Sequence, residues 1–231
     1  MKFPSLTVVM TALNEQDNIE EAIRRMHRTL KSYGGDFQIV VIDDGSSDET
    51  YQKASELLHL GNLEVIKNAK NLGTGKSIRS FIPKLATDFY CWFPTDLELD
   101  PSEMSAALPL MENSDIVISY LVNDQRTPAR KFLSRTFVQI LNLTFGHQYP
   151  YYNGVSLIRR ELLPNPQLLS SRRFFTHAEI LILSLNDSLR VKTAPFKLYE
   201  RHTGESKAMR FNAFWDVGFN YLKLISKKMR Q

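Results

Sequence analysis

The sequence predicts an α/β protein: a mixed, mostly parallel sheet flanked by helices, with one amphipathic helix near its C-terminal end. Three observations predict it. Apolar residues make up 43% of the 231 and charged residues 23%, a balance that buries a core and excludes disordered, collagen-like and disulfide-stapled chains. Strand-like and helix-like segments alternate through the first 120 residues at the spacing of right-handed crossovers. Acidic or glycine-containing loops follow the first four strand-like runs, where sheets of this kind bind ligands.

Leu6–Ala12 is a continuous apolar run, as a strand covered on both faces requires. Residues 17–33 read as a helix, because Ile19, Ala22, Ile23, Met26 and Leu30 recur at helical spacing. Asp17 and Glu20 have capping-box spacing, and Gly34-Gly35 supplies a stop. Residues 37–42 form the second strand. Ser46 and Glu49 repeat the box spacing before a helix running to about residue 58. Leu63–Lys67 is the third strand, residues 76–85 a short helix, and Phe89–Phe93 the fourth strand. Residues 101–111 read as a helix with Pro101 in its first turn, and 115–121 as a fifth strand.

Charge and cysteine content narrow the function. The formal net charge is +4, but residues 197–231 hold eight Lys or Arg against three acids, so the remainder is close to neutral. Nucleic acid is therefore disfavoured as a partner. Cys91 is the only cysteine and has no internal disulfide partner. Residues 1–10 lack the features of a signal peptide, and no apolar run reaches bilayer length. A cytoplasmic protein is expected.

Ala12-Leu13-Asn14-Glu15 follows the first strand. A dinucleotide-binding protein carries G-x-G-x-x-G here, whereas the first 33 residues contain no glycine. Asp43-Asp44-Gly45-Ser46 follows the second strand; its carboxylates suit hydrogen bonds to a base or ribose, or a solvated turn. Asn71-Leu72-Gly73-Thr74-Gly75-Lys76-Ser77 ends like a P-loop, but Lys70 stands where the first glycine belongs. What remains is a glycine loop at a helix start with Lys76 available to a phosphate, or a tight turn. Pro94-Thr95-Asp96-Leu97-Glu98 follows the fourth strand. Strand-like alternation places Asp96 and Glu98 on one side, a pair suited either to Mg²⁺ with substrate phosphates or to the start of a helix. His59, His147 and Cys91 have no metal-ligand spacing.

Taken in order, V-V-M-T-A-L-N-E, V-V-I-D-D-G-S-S-D-E-T, N-L-G-T-G-K-S and P-T-D-L-E-L-D-P resemble the family 2 glycosyltransferases of GT-A fold. The resemblance is closest to the dolichol- and polyprenyl-phosphate sugar transferase branch. Arg126, Arg130 and Ser134 match its acceptor region, 153–160 its G-x-x-x-x-R-R segment, 177–181 its helix, and 201–207 its R-x-x-G-x-S-K motif. It implies an inverting transfer from a UDP- or GDP-sugar to a polyprenyl phosphate. Ala12, Asn14, Glu15, Asp43, Asp44, Lys76 and Asp96 would surround the donor. Asp96, with Glu98, would hold Mg²⁺ or Mn²⁺. Arg201 and Lys207 would assist departure of the diphosphate, and Arg126, Arg130, Ser134 and Ser206 would face the acceptor. Two positions depart from the pattern: Pro94 replaces the first acid of D-x-D, and no arginine stands near Leu121.

The resemblance implies a catalytic domain over 1–207 and an appended helix over 208–231. Membrane-bound members continue from R-x-x-G-x-S-K into transmembrane helices; here residues 208–229 fit one amphipathic helix. Phe211, Phe214, Trp215, Leu222, Ile225 and Met229 form its apolar stripe, with Asn212, Asp216, Asn220, Lys223 and Lys227 opposite. That pattern suits peripheral attachment to the inner face of a membrane, with Lys223, Lys227, Lys228 and Arg230 drawn to anionic lipid. It equally suits packing on its own domain or on a second copy in a homodimer. Two rival functions stay open. Transfer to a hydroxyl acceptor needs a general base, for which Asp96, Glu98, Asp100 and Glu179 are candidates. A non-catalytic binding domain needs none.

Overall fold

The structure is a computed structural model that describes residues 3–172, 175–199 and 211–228, with side chains of the last helix from Gly218 onward. Seven strands form one sheet: β1 (Leu6–Ala12), β2 (Phe37–Asp43), β3 (Leu63–Lys67), β4 (Phe89–Phe93), β5 (Ile116–Val122), β6 (Ser156–Arg159) and β7 (Val191–Lys197). Their order is β3-β2-β1-β4-β6-β5-β7. All pairings are parallel except those of β6, which runs against β4 and β5. The sheet is therefore mixed and mostly parallel, as the alternation predicts.

Among the described residues six α-helices flank it: α1 (Ile19–Tyr33), α2 (Thr50–Glu56), α3 (Thr74–Phe81), α4 (Pro128–Phe145), α5 (Thr176–Ser184) and α6 (Phe211–Lys228). On one face, Met10, Ile39 and Phe93 pack with Met26 of α1 and with Met104 and Met111. On the other, Val40, Tyr90 and Ile118 pack with Ile78 of α3, Leu141 of α4, Leu181 of α5 and Leu224 of α6. Burying each large apolar side chain contributes about 1.5–3 kcal/mol. Helix α5 is buried along its length, which explains why its sequence is apolar all round.

Neither capping box forms. Helix α1 starts at Ile19, whose N–H reaches Glu15 O at 2.8 Å, while Glu20 turns forward to Arg24. Its expected stop holds, with Gly34 in the left-handed region at φ 80°. Helix α2 starts later than expected, at Thr50. Ser46 Oγ is taken by the Asn14 N–H at 2.9 Å, and Asp48 Oδ1 accepts the Thr50 N–H instead. At α2 the loop after β1 outcompetes the local cap.

Residues 101–111 make two 3-10 segments, Pro101–Ala106 and Leu108–Asn113, rather than one α-helix. Pro109 lacks an N–H and its ring opposes a continuing helix. Pro101 does occupy the first turn, behind an Asp100 cap that accepts the Ser102 N–H at 2.8 Å.

The C-terminal helix packs on its own domain, one of the placements its pattern allows. Asn220 and Leu224 are buried, while Leu222 of the apolar stripe is 66% exposed and Phe219 61%. Lys227 pairs with Glu179 at 2.7 Å, and Lys228 donates to Leu185 O. These two lysines hold α6 on its own domain and do not face outward to lipid. Of the expected lipid-facing cations only Lys223 among the described residues lies exposed, over the Phe219 ring. Arg230 and Met229, the 207/208 boundary, and the Arg201, Ser206 and Lys207 motif lie outside the described residues, as do the side chains of Phe211, Phe214 and Trp215. Among the described residues no helix is long and apolar enough to cross a membrane.

Candidate functional site

The carboxyl ends of β1, β2 and β3 stand level, with Ala12 beside Asp43 and Asp43 beside Lys67. β4 joins this edge through Trp92, whose Nε1–H donates to Thr11 Oγ1 at 3.0 Å, and Thr95, whose hydroxyl donates to Thr11 O at 3.3 Å. The loops that follow are laced together. Asn14, at φ 54°, accepts the Ser47 N–H on Oδ1 at 3.0 Å. Glu15 donates its N–H to Thr50 Oγ1 and accepts from Asn18 Nδ2.

The two adjacent acids after β2 differ. Asp44 Oδ1 accepts from Asn68 Nδ2, the Leu72 N–H and Ser77 Oγ, and its Oδ2 accepts the Gly73 N–H at 2.8 Å. Its charge sits where a P-loop holds a phosphate, at the start of α3. The Gly75 N–H is likewise used, donating to Arg172 O at 3.1 Å. A Cβ on Gly75 would lie 2.3 Å from Ser171 O and from Thr176 Oγ1, so this glycine permits close packing. The glycine loop is thus an internal joint, as its tight-turn alternative expects; Lys76 is half-buried on α3 beside it.

Asp43 is fully buried. Its Oδ1 accepts the Ser46 N–H at 3.0 Å, but its Oδ2 has no partner among the described residues. An orphaned buried carboxylate oxygen is costly unless a ligand donates to it.

Asp96 and Glu98 lie in a bend, not a strand. Leu97 has φ 58°, and Asp96 Oδ1 accepts the Glu98 N–H at 3.2 Å. Leu97 and Leu99 turn inward while Asp96, Glu98 and Asp100 stay half-buried, so the expected alternation survives in burial although the backbone is not extended. Glu98 O accepts the Tyr199 N–H at 2.8 Å, so Tyr199 is pinned to this acidic loop. Among the described residues no three His, Cys, Asp or Glu gather as a metal cluster. The pair offers hard carboxylate oxygens, a donor set that suits Mg²⁺ or Mn²⁺ when diphosphate oxygens complete the shell.

Of the acceptor candidates, Arg130 and Ser134 lie one turn apart on α4. Arg126, just before the Thr127 cap, makes a two-pronged contact with Asp124 at 2.8 and 2.7 Å. Asp124 and then Tyr151 raise the Arg126 pKa, partly offset by burial. Glu179, a candidate base, is fully buried and accepts from Ser170 N, Ser171 N and Lys227 Nζ. It is a structural anchor. Asp100 is engaged by Arg25 and Ser102.

One feature escapes sequence reading. The Trp92 and His177 rings stack at 3.8 Å, and with Tyr90, Gly154, Ser156, Ile158 and Ile180 they line a cavity behind the acidic loop. Packing around His177 pushes its pKa down to about 3, so the ring is neutral near pH 7. Tyr90 Oη is buried there without a partner among the described residues. The two aromatic groups lie 85 residues apart on different elements, and no spacing rule joins them.

Comparison with known proteins agrees with this arrangement. The family model described as glycosyl transferase family 2 matches residues 7–165. A dolichol-phosphate mannosyltransferase of Pyrococcus furiosus is 26% identical over 97% of this chain and 64% of its own length. An undecaprenyl-phosphate 4-deoxy-4-formamido-L-arabinose transferase of an Enterobacter species is 27% identical over 87% of this chain and 62% of its own. The chain thus spans less than two thirds of either relative. Glucosyl-3-phosphoglycerate synthase of Mycobacterium tuberculosis, solved with Mn²⁺, UDP and glucosyl-3-phosphoglycerate, shares the fold. Its TM-score is 0.71 at 17% identity, covering 96% of this chain and 80% of the synthase. The same synthase has also been solved with Mg²⁺ and UDP. With more than half of its length matched by the family model, the chain belongs to glycosyl transferase family 2.

Proposed function

We propose that this chain is an inverting glycosyltransferase that moves a sugar from a nucleoside diphosphate to a polyprenyl phosphate. The observation that carries the donor half is Asp43 Oδ2, buried at the sheet edge without a partner among the described residues. It suits a base N–H or a ribose hydroxyl. Asn14 and Glu15 border the same edge, and Asp44 holds its floor. A divalent cation held by Asp96 and Glu98 would neutralise charge developing on the departing diphosphate. Arg201 and Lys207 are proposed to add positive charge there, and Ser206 to meet the acceptor.

Two supports favour a phosphate acceptor over a hydroxyl. Both curated relatives are named for lipid-phosphate substrates. The base candidate Glu179 is sealed in the core, and His177 is a very weak base at a pKa of about 3. A phosphate oxygen is already anionic and needs no proton removed. It attacks the sugar C1 as the C1–O bond to the diphosphate breaks, inverting that carbon. Arg126, Arg130 and Ser134 are the proposed acceptor contacts.

A lipid-linked acceptor requires a surface for the bilayer. Helix α4 exposes Phe132 (69%) and Leu143 (86%), and α6 adds Phe219 and Leu222. Thr144 Oγ1 and Tyr221 Oη, 2.5 Å apart, join the two helices. Residues 128–145 contain Arg130, Lys131 and Arg135 and no acid, so the occupant proposed is an anionic lipid surface. The inner-face, cytoplasmic placement belongs to this same proposal.

Radiolabelled UDP- and GDP-sugars supplied with Mn²⁺ and either polyprenyl phosphate or free glycan test the reading. Label moving to the lipid phosphate supports it. Label moving only to glycan favours the hydroxyl-acceptor reading, and nucleotide binding without transfer or hydrolysis favours a binding domain.

A further inference from the structure

Lys227 sits at the far end of the chain from the donor loops, yet one unbroken set of contacts joins it to them. Its ammonium donates to Glu179 Oε1 at 2.7 Å and to Ser170 Oγ at 2.8 Å. Glu179 in turn accepts the Ser170 and Ser171 N–H groups, the latter at 2.9 Å, and so fixes the backbone of that segment. The next two carbonyls meet the glycine loop. Arg172 O accepts the Gly75 N–H, and Ser171 O lies so close that no side chain fits on Gly75. The loop then gives the Leu72 and Gly73 N–H groups to Asp44, beside Asp43. Each link is a hydrogen bond or a backbone contact, so displacement at one end has little slack to be absorbed.

We infer that Lys227 is a positioning residue for nucleotide binding: docking of α6 through the Lys227–Glu179 pair sets the glycine loop and thereby the carboxylate pair at the donor edge. The inference rests on the donor-site reading above. Removing Lys227 leaves the buried Glu179 charge with one donor fewer, and a buried carboxylate that loses its cation is strongly disfavoured. The 170–172 segment then relaxes. Because Gly75 hangs on Arg172 O, the loop loses its fixed position and Asp44 its aligned donors. Linkage requires the reverse as well: a nucleotide that prefers the set loop must favour docked α6.

The test uses the full chain and a panel of UDP, GDP, CDP and dTDP with Mn²⁺. Calorimetry compares the wild type with Lys227→Met and Lys227→Arg, corrected for folded fraction by circular dichroism. Hydrogen exchange of the wild type follows residues 218–228 with and without the tightest nucleotide. Affinity should fall about fivefold or more in Lys227→Met, the usual scale of coupling between sites, and largely recover in Lys227→Arg. Exchange at 218–228 should slow when nucleotide binds. A wild type that binds none of the panel sinks the donor-site reading and this inference with it. Nucleotide binding with unchanged exchange at 218–228, or with equal affinity in folded Lys227→Met, overturns the inference alone and leaves Lys227 a stabilising contact. Should Lys227→Met fail to fold, the wild-type exchange result decides.

Discussion

Asp43 and Asp44 are adjacent at the end of β2, and their carboxylates serve different ends: Asp44 is engaged by four protein donors, while one buried oxygen of Asp43 has no partner among the described residues. Asp44→Asn would place an amide among groups that already donate. It should cost about 1–3 kcal/mol, the penalty for leaving buried partners unsatisfied. Asp43→Asn keeps an acceptor for the Ser46 N–H and removes a buried charge. Its thermal midpoint should hold or rise, while nucleotide affinity falls about tenfold, equivalent to roughly 1.4 kcal/mol. Calorimetry and thermal unfolding on both variants separate the roles, and a destabilised Asp43→Asn would contradict them.

Two glycines give opposite expectations. Gly75→Ala forces a methyl against Ser171 O and should destabilise by about 1–3 kcal/mol, as overpacking does. Gly218 lies in the interior of α6 with open space where a Cβ would go. Gly218→Ala should therefore stabilise by about 0.5–1 kcal/mol through helix propensity. Urea titrations of the two variants, run beside the wild type, check both signs.

Acid should weaken the junction of β5 and β7. The Arg190 guanidinium, followed by its backbone N–H and by Arg159, holds the Asp115 carboxyl at about 2 against an ordinary 3.8. The folded state therefore binds this proton less readily than the unfolded chain. Its contribution is present above about pH 4 and is lost as pH falls through about 2. Asp115→Asn should flatten the stability curve in that window, measured by denaturant midpoints at successive pH values. An unchanged slope would place the acid sensitivity elsewhere.

Asp96→Ala should abolish transfer, and Glu98→Ala should raise the Mn²⁺ concentration for half-maximal rate without much change at saturation. One carboxylate with diphosphate oxygens can still hold a hard cation, only less tightly. Rate against Mn²⁺ concentration distinguishes the two. Identical curves for Glu98→Ala and wild type would remove Glu98 from the metal site.

The exposed sides of α4 and α6 should bind anionic vesicles at low salt and release them as salt rises. Leu143→Asp with Leu222→Asp should lose sedimentation with vesicles, since a charge replaces an apolar group on each helix. Lys223→Gln should weaken it modestly. If the double variant instead converts a dimer to a monomer in light scattering and leaves vesicle binding intact, the strip joins two copies of the chain.

Much of the fold was legible because it rests on local patterns. β1, β3 and β4 fall where the apolar runs lie, since buried strands need little beyond their own residues. The start of α2 is not legible in the sequence because Ser46 bonds across to Asn14, a partner that no spacing of four residues reveals. The spacing shows α6 as amphipathic but leaves its facing open. A buried acid at Glu179, 48 residues earlier, draws Lys227 inward and leaves Leu222 outside. Within the candidate site, the acids were visible as residue types at strand ends. Their division of labour was not, because Asp44 meets Gly73 only once α3 has packed.

The reversed strand β6 divides the molecule mechanically. β1 to β4 form a run of parallel neighbours joined by crossovers that close locally, whereas within the sheet β5 and β7 reach that run through β6, with the Leu99–Leu198 bridge and the Glu98–Tyr199 hydrogen bond as a second tie beyond the ends of β4 and β7. This seam is four residues wide and pairs three positions on each side. Pulling on the two halves from opposite edges would load a few short hydrogen-bonded rungs rather than the broad parallel interfaces. Ser156 and Ile158 of this seam line the same cavity as Gly154 and the Trp92–His177 stack. A fracture there would open that cavity while β3, β2 and β1 stayed paired, and the Leu99–Leu198 bridge would be left to tether the acidic loop after β4 to the other half.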